Sequence, residues 1–496
     1  MIKTLANSRG GWLKKEFFSK GMVSPAGIGL LSFVAVVFAI LFFTGYKLIP
    51  FLAVGGLIGL IVLYLCFFKP YVGFFIVTLI AFFAFYPKHI LNIDPPFSTL
   101  VEVLMWIVFL GSTREVPPKG IKNSLLSTPV AKVFILYTAY HLIEFFNPDM
   151  YSKAGYIFVM RKFFMFIIIY ISAYRLINTP SRFRFFLKFW IVMAFIAALY
   201  GCYQHWFGYL PPEMSYLRRH PKEYDLMFQS GQMRIFSFLS DVVSFGVLAG
   251  TMCVVSVVLA INEKRKKEKY ILFLMAFIMF LGMSYSGTRT TTIIVPVGIS
   301  IYLLMTIKNR TTLITLFATV LAILFVLFAP IYTPSIQRMR STFDPENASL
   351  NVRDENRHYI QPYIYAHPIG GGLATAGVAG RQYNPTHPLA GFPPDSGFLQ
   401  MALEIGWIGL GLTVIFYLTI LYQGVYHYFR IRNPEYKVYA VALVGFLLSI
   451  MVTQYSQVSI GQIPGIILFM SAIGMSKRLF EFDEAEHQKN QIILRT

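Results

Sequence analysis

The sequence predicts an all-α fold, a polytopic transmembrane helical bundle of about 12–14 spans with a large extracytoplasmic loop containing short helices. Three observations carry this expectation. Apolar residues make up 56% of the 496 residues and mean hydropathy is +0.61, more than a water-soluble fold can hide. They arrive in blocks of roughly 17 to 25 residues, the length that crosses about 30 Å of hydrocarbon at about 1.5 Å per residue. Lipid cannot satisfy backbone N–H and C=O groups, so the blocks must be helices. Between two of them lies a polar stretch, 333–397, that holds Arg338, Arg340, Arg353, Arg357, Arg381, Asp344, Glu346, Asp354, Glu355 and Asp395, with His358, His367 and His387. A loop this long and this rich in aromatics, Pro and Gly is a folded, site-bearing segment rather than a disordered one.

In chain order the candidate spans are 26–46, 48–68, 71–87, 97–111, 130–146, 155–177, 183–207, 236–262, 269–285, 291–306, 312–331, 398–428, 437–455 and 461–477. They divide the chain into N-terminal transmembrane helices (1–207), an extracytoplasmic loop (208–235), central transmembrane helices (236–332), the large loop (333–397), C-terminal transmembrane helices (398–477) and a solvated cytoplasmic tail (478–496). The first block starts near Pro25, is long and lacks a small-residue exit, so no cleavable signal is expected. With the N-terminus inside, 27 Lys and Arg fall on the cytoplasmic side and 15 outside, as the positive-inside rule requires, and both termini are cytoplasmic. Nine of the outer 15 lie in the two long loops. Cations held outside against the rule, some at membrane depth, need anionic partners and mark a functional site.

Several function classes drop out. Cys66, Cys202 and Cys253 lie within or beside apolar blocks without metal or redox spacing, so they are packing residues. No metal or other cofactor is expected. The formal charge of +20 resides mostly in short connections between spans, which speaks for membrane orientation and against nucleic acid. Gly370, Gly371 and Gly372 lack the Lys-Ser/Thr ending of a phosphate-binding P-loop and read as a tight turn.

The candidate site residues follow from placement. Arg161, with Lys162, interrupts an apolar span, where it either snorkels to the interface or serves the site. Arg234 stands where MRIFSFLSD meets the membrane, with Asp241 further in. Arg289 stands among small hydroxyl residues in SYSGTRTTT; its guanidinium fork suits phosphate oxygens, and capping of helix-end carbonyls is the structural alternative. Arg353 and Arg357, at i and i+4 in VRDENRHYIQP, share one helical face; Asp354 and Glu355 are their bland surface partners, and Pro362 should kink or end that helix. Asp395 in PPDSGFLQMALEIG stands just before a span, where it or Ser396 could cap a helix, and Glu404 is buried about two turns on.

The ordered set resembles the O-antigen ligase and polymerase superfamily, integral membrane glycosyltransferases of bacterial envelopes. The likeness rests on Arg234 before a Phe-rich span, S-G-T-R ending in Arg289, the loop with Arg353, then AHPIGGG, and DSGFLQMALEIGWIGL re-entering the membrane, over about residues 200–430. It implies a location in the bacterial cytoplasmic (inner) membrane and transfer of a glycan from a polyprenyl-pyrophosphate carrier to an acceptor hydroxyl on a glycan, lipid A core or another molecule. Neither nucleotide sugar nor metal is implied. Ligases of this family usually have a His shortly before L-x-x-x-x-E-x-G; here Asp395 occupies that place and His387 lies eight residues earlier. The departure makes a polymerase, or another acceptor, at least as well supported as ligation to lipid A core. Pyrophosphate is already a good leaving group, so the protein's main task is positioning and charge neutralisation. Arg234 and Arg289 are the candidates for that, with Arg353 and Arg357 closing over the headgroup, while Asp395 and His387 compete as general base. Loop tyrosines such as Tyr359, Tyr363, Tyr365 and Tyr383 are available to stack on sugar faces. The rival of a different class is a lipid-linked oligosaccharide flippase, which needs no general base.

Overall fold

The computed structural model describes residues 48–92, 96–116, 124–229, 231–307, 310–328, 330, 333, 336–337, 340 and 348–493. The expected first span, 26–46, and the loop residues Arg338, Asp344 and Glu346 lie outside them. The chain divides between Leu65 and Cys66, and the described part of the first unit is the start of helix α1, Leu48–Phe68. In the second unit follow α2 (Pro70–Phe83), α3 (Tyr86–Leu91), α4 (Phe97–Ser112), α5 (Pro129–Ile143), α6 (Lys153–Leu176) and α7 (Pro180–Phe207). The shorter polar loop holds α8 (Pro211–Arg219), α9 (Pro221–Met227) and a two-residue hairpin, Phe228–Gln229 with Gln232–Met233. Then come α10 (Val242–Asn262), α11 (Lys266–Tyr285), α12 (Arg289–Met305) and α13 (Arg310–Phe328). The large loop carries α14 (Ala348–Ala366) and α15 (Gly377–Tyr383), and the chain ends with α16 (Gly397–Glu404), α17 (Gly406–Arg430), α18 (Pro434–Thr453) and α19 (Gly465–Ile493).

The all-α, polytopic class is borne out. Among the described residues seven helices are long and apolar enough to cross a membrane, with further apolar helices at Gly55–Phe68, Phe97–Ser112, Arg289–Met305 and Thr312–Leu321. Local chemistry explains where several begin. Pro129, Pro180 and Pro434 take the first helical position, where a missing N–H costs nothing, and the residue before each is a cap. Thr128 accepts from the amide of Ala131 at 3.1 Å, Thr179 from Arg182 at 3.2 Å and Asn433 from Glu435 at 2.9 Å.

Burial orders the bundle. In α10 and α18, 78% and 72% of the apolar window is buried, so these two form its centre, with α7, α11, α12 and α17 packed around them. Small residues permit the close approach: Gly298 of α12 faces Ser449 of α18 and Val254 of α10. In α11 only 22% is buried, and Leu274 and Phe277 face outward, as a lipid solvent allows.

The structure corrects four expectations. The span 398–428 is broken at Ile405: α16 is a separate eight-residue helix, and Gly406, with φ of +66°, starts a new one. The helix expected from residue 236 starts only at Val242; Asp241, rather than lying inside it, is its N-cap and accepts from Val243 and Ser244 at 2.8 and 2.9 Å. Pro362 does not end α14, which runs on to Ala366. Residues 478–483 are not a solvated tail but the continuation of α19. Arg478 is 1% exposed, its Nη1 lies 2.6 Å from Glu481 Oε2, its Nε donates to Tyr174 O at 2.7 Å, and Tyr174 Oη donates to Glu481 Oε1 at 2.8 Å. Asp483 accepts from the amides of Arg432 and Asn433 at 3.0 and 2.8 Å, which ties this segment to the turn between α17 and α18.

Removing one partner of a buried ion pair leaves the other uncompensated, so Glu481→Ala is expected to cost about 3–5 kcal/mol of stability. Lys489→Ala, on an exposed position of the same helix, should stay within about 0.5 kcal/mol. Thermal unfolding of the purified protein in detergent reads both.

Candidate active site

Asp395 lies where three elements meet. Arg353 and Arg357, one helical turn apart on α14, both face it: Arg357 Nη2 stands 3.0 Å and Arg353 Nε 3.8 Å from its Oδ2. Asp354, the surface partner expected for Arg357, is 3.8 Å away and 65% exposed, whereas the Asp395 side chain is 14% exposed, so Asp395 is the stronger partner. Asp395 is not a helix cap; Ser396 is, accepting from the amide of Leu399 at 3.0 Å. The adjoining Gly397 donates to the carbonyl of Gln454 at 2.9 Å, which fastens the turn to the end of α18. Arg357 completes the link by donating to Tyr455 O at 3.3 Å, with the Tyr455 ring 5.1 Å below its guanidinium.

The second pair of cations adjoins this cluster. Arg234 donates to Ser286 O at 3.2 Å and to Thr288 Oγ1 at 2.9 Å, so its guanidinium is held on the turn that delivers Arg289, the first residue of α12. Thr290 in turn hydrogen-bonds Ser456 at 2.6 Å. Residues 455 and 456 therefore touch Arg357 on one side and the Arg289 turn on the other. The fold thus gathers four of the five arginines expected in the site along one continuous polar face with Asp395. Arg161 does not join them. It pairs with Glu102 of α4, Nε to Oε2 at 3.0 Å, and its side chain is 43% exposed, an arrangement that fits a helix-to-helix tie.

Glu404 ends α16 and is 3% exposed. Its surroundings are made by the glycine turn: Gly371 donates to Leu403 O at 2.8 Å and Gly372 to Glu404 O at 2.9 Å. Gly370 has φ of +74°, and a Cβ there would stand 2.5 Å from the amide nitrogen of Gly406, so only glycine admits this approach. Burial pushes the Glu404 carboxyl up to about 7, against the pull of Gln400 and of the amides of Ala376 and Ala374. Those contacts assign Glu404 to positioning the turn; among the described residues none joins it to Asp395 or the arginines.

His387 is 4% exposed, and burial holds its imidazole below the usual histidine range. Its Nδ1 accepts from the amide of Leu389 at 3.1 Å, so the neutral ring carries its proton on Nε2. That tautomer makes His387 a donor at its open edge, which favours Asp395 over His387 as a base.

Thr288, Gln454, Tyr455 and Ser456 are the contributors that the sequence did not reveal. Each is an ordinary residue in a helix or turn, made relevant by a partner from a distant segment.

Residues 274–414 match the family described as O-antigen ligase. The matched stretch is similar to an O-antigen ligase domain. It runs from α11 into α17 and so includes Arg289, Arg353, Arg357, His387, Asp395 and Glu404, whereas Arg234, Arg161 and the 454–456 turn lie outside the match. The match supports the ligase and polymerase superfamily and a membrane function of that type, and the flippase alternative gains no support from it. No curated protein matches the chain.

Glu404 predicts a pH dependence for the ligase domain. Below pH 4.5 the carboxyl is protonated in folded and unfolded chains alike; between 4.5 and about 7 only the unfolded chain ionises, so stability falls as pH rises, and above about 7 the loss is complete. Thermal midpoints measured from pH 5 to 8 should fall in wild type and fall less in Glu404→Gln.

Proposed function

We propose that this protein is an integral membrane glycosyltransferase of the extracytoplasmic face, which transfers or polymerises a glycan carried on polyprenyl pyrophosphate. One observation carries the reading: a single carboxylate, Asp395, is held by Arg357 at 3.0 Å and Arg353 at 3.8 Å on a face that continues through residues 455–456 to Arg289 and Arg234. Four guanidinium groups are more than sufficient to offset the charge of a diphosphate, and their forks suit its paired oxygens.

The reaction follows from that arrangement. The donor's diphosphate seats against Arg234 and Arg289, and Arg353 and Arg357 exchange the carboxylate for phosphate oxygens. Asp395, released from its cations, accepts the proton of the acceptor hydroxyl. The hydroxyl oxygen bonds to the anomeric carbon, the bond from that carbon to the phosphate oxygen breaks, and polyprenyl pyrophosphate leaves with the electron pair. The arginines neutralise the charge that develops on the leaving group. No step calls on a metal or a nucleotide sugar. We assign both termini to the cytoplasm and the bundle to the inner membrane of a bacterium, in keeping with the excess of Lys and Arg in the connections on that side of the expected topology.

The test uses purified protein in nanodiscs with a polyprenyl-pyrophosphate glycan from the native host, with products resolved on a gel. Asp395→Asn is expected to slow transfer about 10²–10⁴-fold. Arg289→Ala should slow it about 10²–10³-fold, with Arg289→Lys in between because it keeps the charge and loses the fork. A ladder of lengthening glycans identifies a polymerase; one shifted band on addition of lipid A core or another acceptor identifies a ligase. Wild-type rates in Asp395→Asn, or headgroup translocation in liposomes without any product, overturns the proposal.

A further inference from the structure

A second set of side chains gathers on the same face beside the glycine turn and has no part in the chemistry above. The loop between α5 and α6 is anchored there by Asn147, whose Nδ2 donates to the carbonyls of Ile369 and Gly370, each at 3.2 Å. Asn147 Oδ1 accepts from the amide of Asp149 at 2.9 Å, which sets the next residues of the loop. Tyr151 follows, 59% exposed, with its ring 5.1 Å from that of His387 at 64°. From the other side α14 supplies Tyr363, stacked on His367 with centroids 4.0 Å apart.

These groups converge on one point. A Cβ on Gly371 would stand 2.7 Å from both Tyr363 Oη and His387 Cε1, and 3.0 Å from His387 Nε2. With no Cβ on Gly371, Tyr363 Oη and His387 Nε2 both pack against its bare backbone, which brings the two donors close together. His387 is almost wholly buried, yet its Nε2 has no partner and is not sealed off among the described residues, nor has Tyr363 Oη a hydrogen-bond partner there. Asp149 is near enough to act electrostatically on both rings.

We propose that Asp149, Tyr151, Tyr363 and His387 form a glycan subsite for a neutral pyranose residue, separate from the diphosphate site. Tyr151 supplies an exposed aromatic face for the apolar side of the ring. His387 Nε2–H and Tyr363 Oη–H donate to sugar oxygens, and Asp149 accepts from a hydroxyl while disfavouring acidic sugars. Tyr363 stands six residues beyond Arg357 on α14, about 9 Å along the axis at about 1.5 Å per residue. The subsite thus holds a sugar beside the reacting one, from the donor's repeat unit or from the acceptor's end. The assignment rests on the glycan-transfer reading for its ligand.

The test is titration calorimetry on the full-length protein in nanodiscs, with the host's own repeat-unit oligosaccharide, freed of lipid and phosphate, as the probe. Saturable binding is expected in wild type and in Asp395→Asn, with at least a tenfold weaker Kd in Tyr151→Ala and Asp149→Asn and recovery in Tyr151→Trp. Tyr151 and Asp149 lie at the surface, so these variants fold. KM values then separate the sources: Tyr151→Ala raises KM for the lipid-linked donor if the donor's sugar is held, or for the acceptor if the acceptor's is. No binding to wild type, or equal binding to Tyr151→Ala, overturns the subsite even where transfer proceeds. Binding lost in Tyr151→Ala from a protein that transfers nothing leaves the subsite standing and removes the transferase reading.

Discussion

Two backbones that nearly touch hold the loop face together. Gly370 and Gly406 approach so closely that neither tolerates a side chain, and the carbonyl of Pro368 fills the space where a Cβ of Gly406 would stand. Around that contact every exposed polar group of the turn finds a partner: Leu403 and Glu404 receive the amides of Gly371 and Gly372, and Tyr140 of α5 donates to Ile405 O at 2.8 Å. The break between α16 and α17 is then a fixed corner rather than a frayed end. Because α16 leaves that corner on its own axis, Asp395 at its start reaches the arginines of α14, and His387 comes to rest over Gly371.

The same corner separates two kinds of chemistry on one helix. The first part of α14 presents Arg353 and Arg357 to Asp395; its last turn carries Tyr363, stacked on His367 just past the helix end. In the proposed reading, one helix carries residues of both the diphosphate site and the sugar subsite. In the closed ion pair Asp395 keeps the arginine pair compensated, which stabilises a cluster of like charges that would otherwise repel. In the proposed mechanism the diphosphate, an anion of higher charge than a carboxylate, takes the place of Asp395.

Local signals in the sequence foretold much of this. Hydropathy alone specified the helices of the bundle, since lipid enforces helix wherever an apolar run is long enough. The four-residue spacing of Arg353 and Arg357 correctly placed both on one face. Neither spacing nor composition pointed to which carboxylate meets which arginine: Asp354 was adjacent in sequence, whereas Asp395 is about forty residues away. The break at Ile405 was hidden because LEIGWIGL is apolar but for Glu404, and the sign of it was Gly406. The buried run at 478–483 misled because its charges are paired with Tyr174, Arg432 and Asn433, partners that charge patterning along the chain does not show. Glu102, Asn147 and Tyr455 were silent for the same reason.

Where the donor's diphosphate sits, and what happens to the ion pair when it arrives, decides the proposed mechanism. Cryo-electron microscopy of the protein in nanodiscs saturated with polyprenyl pyrophosphate measures both directly. Phosphate density bounded by Arg234, Arg289, Arg353 and Arg357, with Asp395 parted from both α14 arginines, is the predicted result. Density elsewhere on the protein, or an Arg357–Asp395 pair still closed beneath a bound lipid, would contradict it.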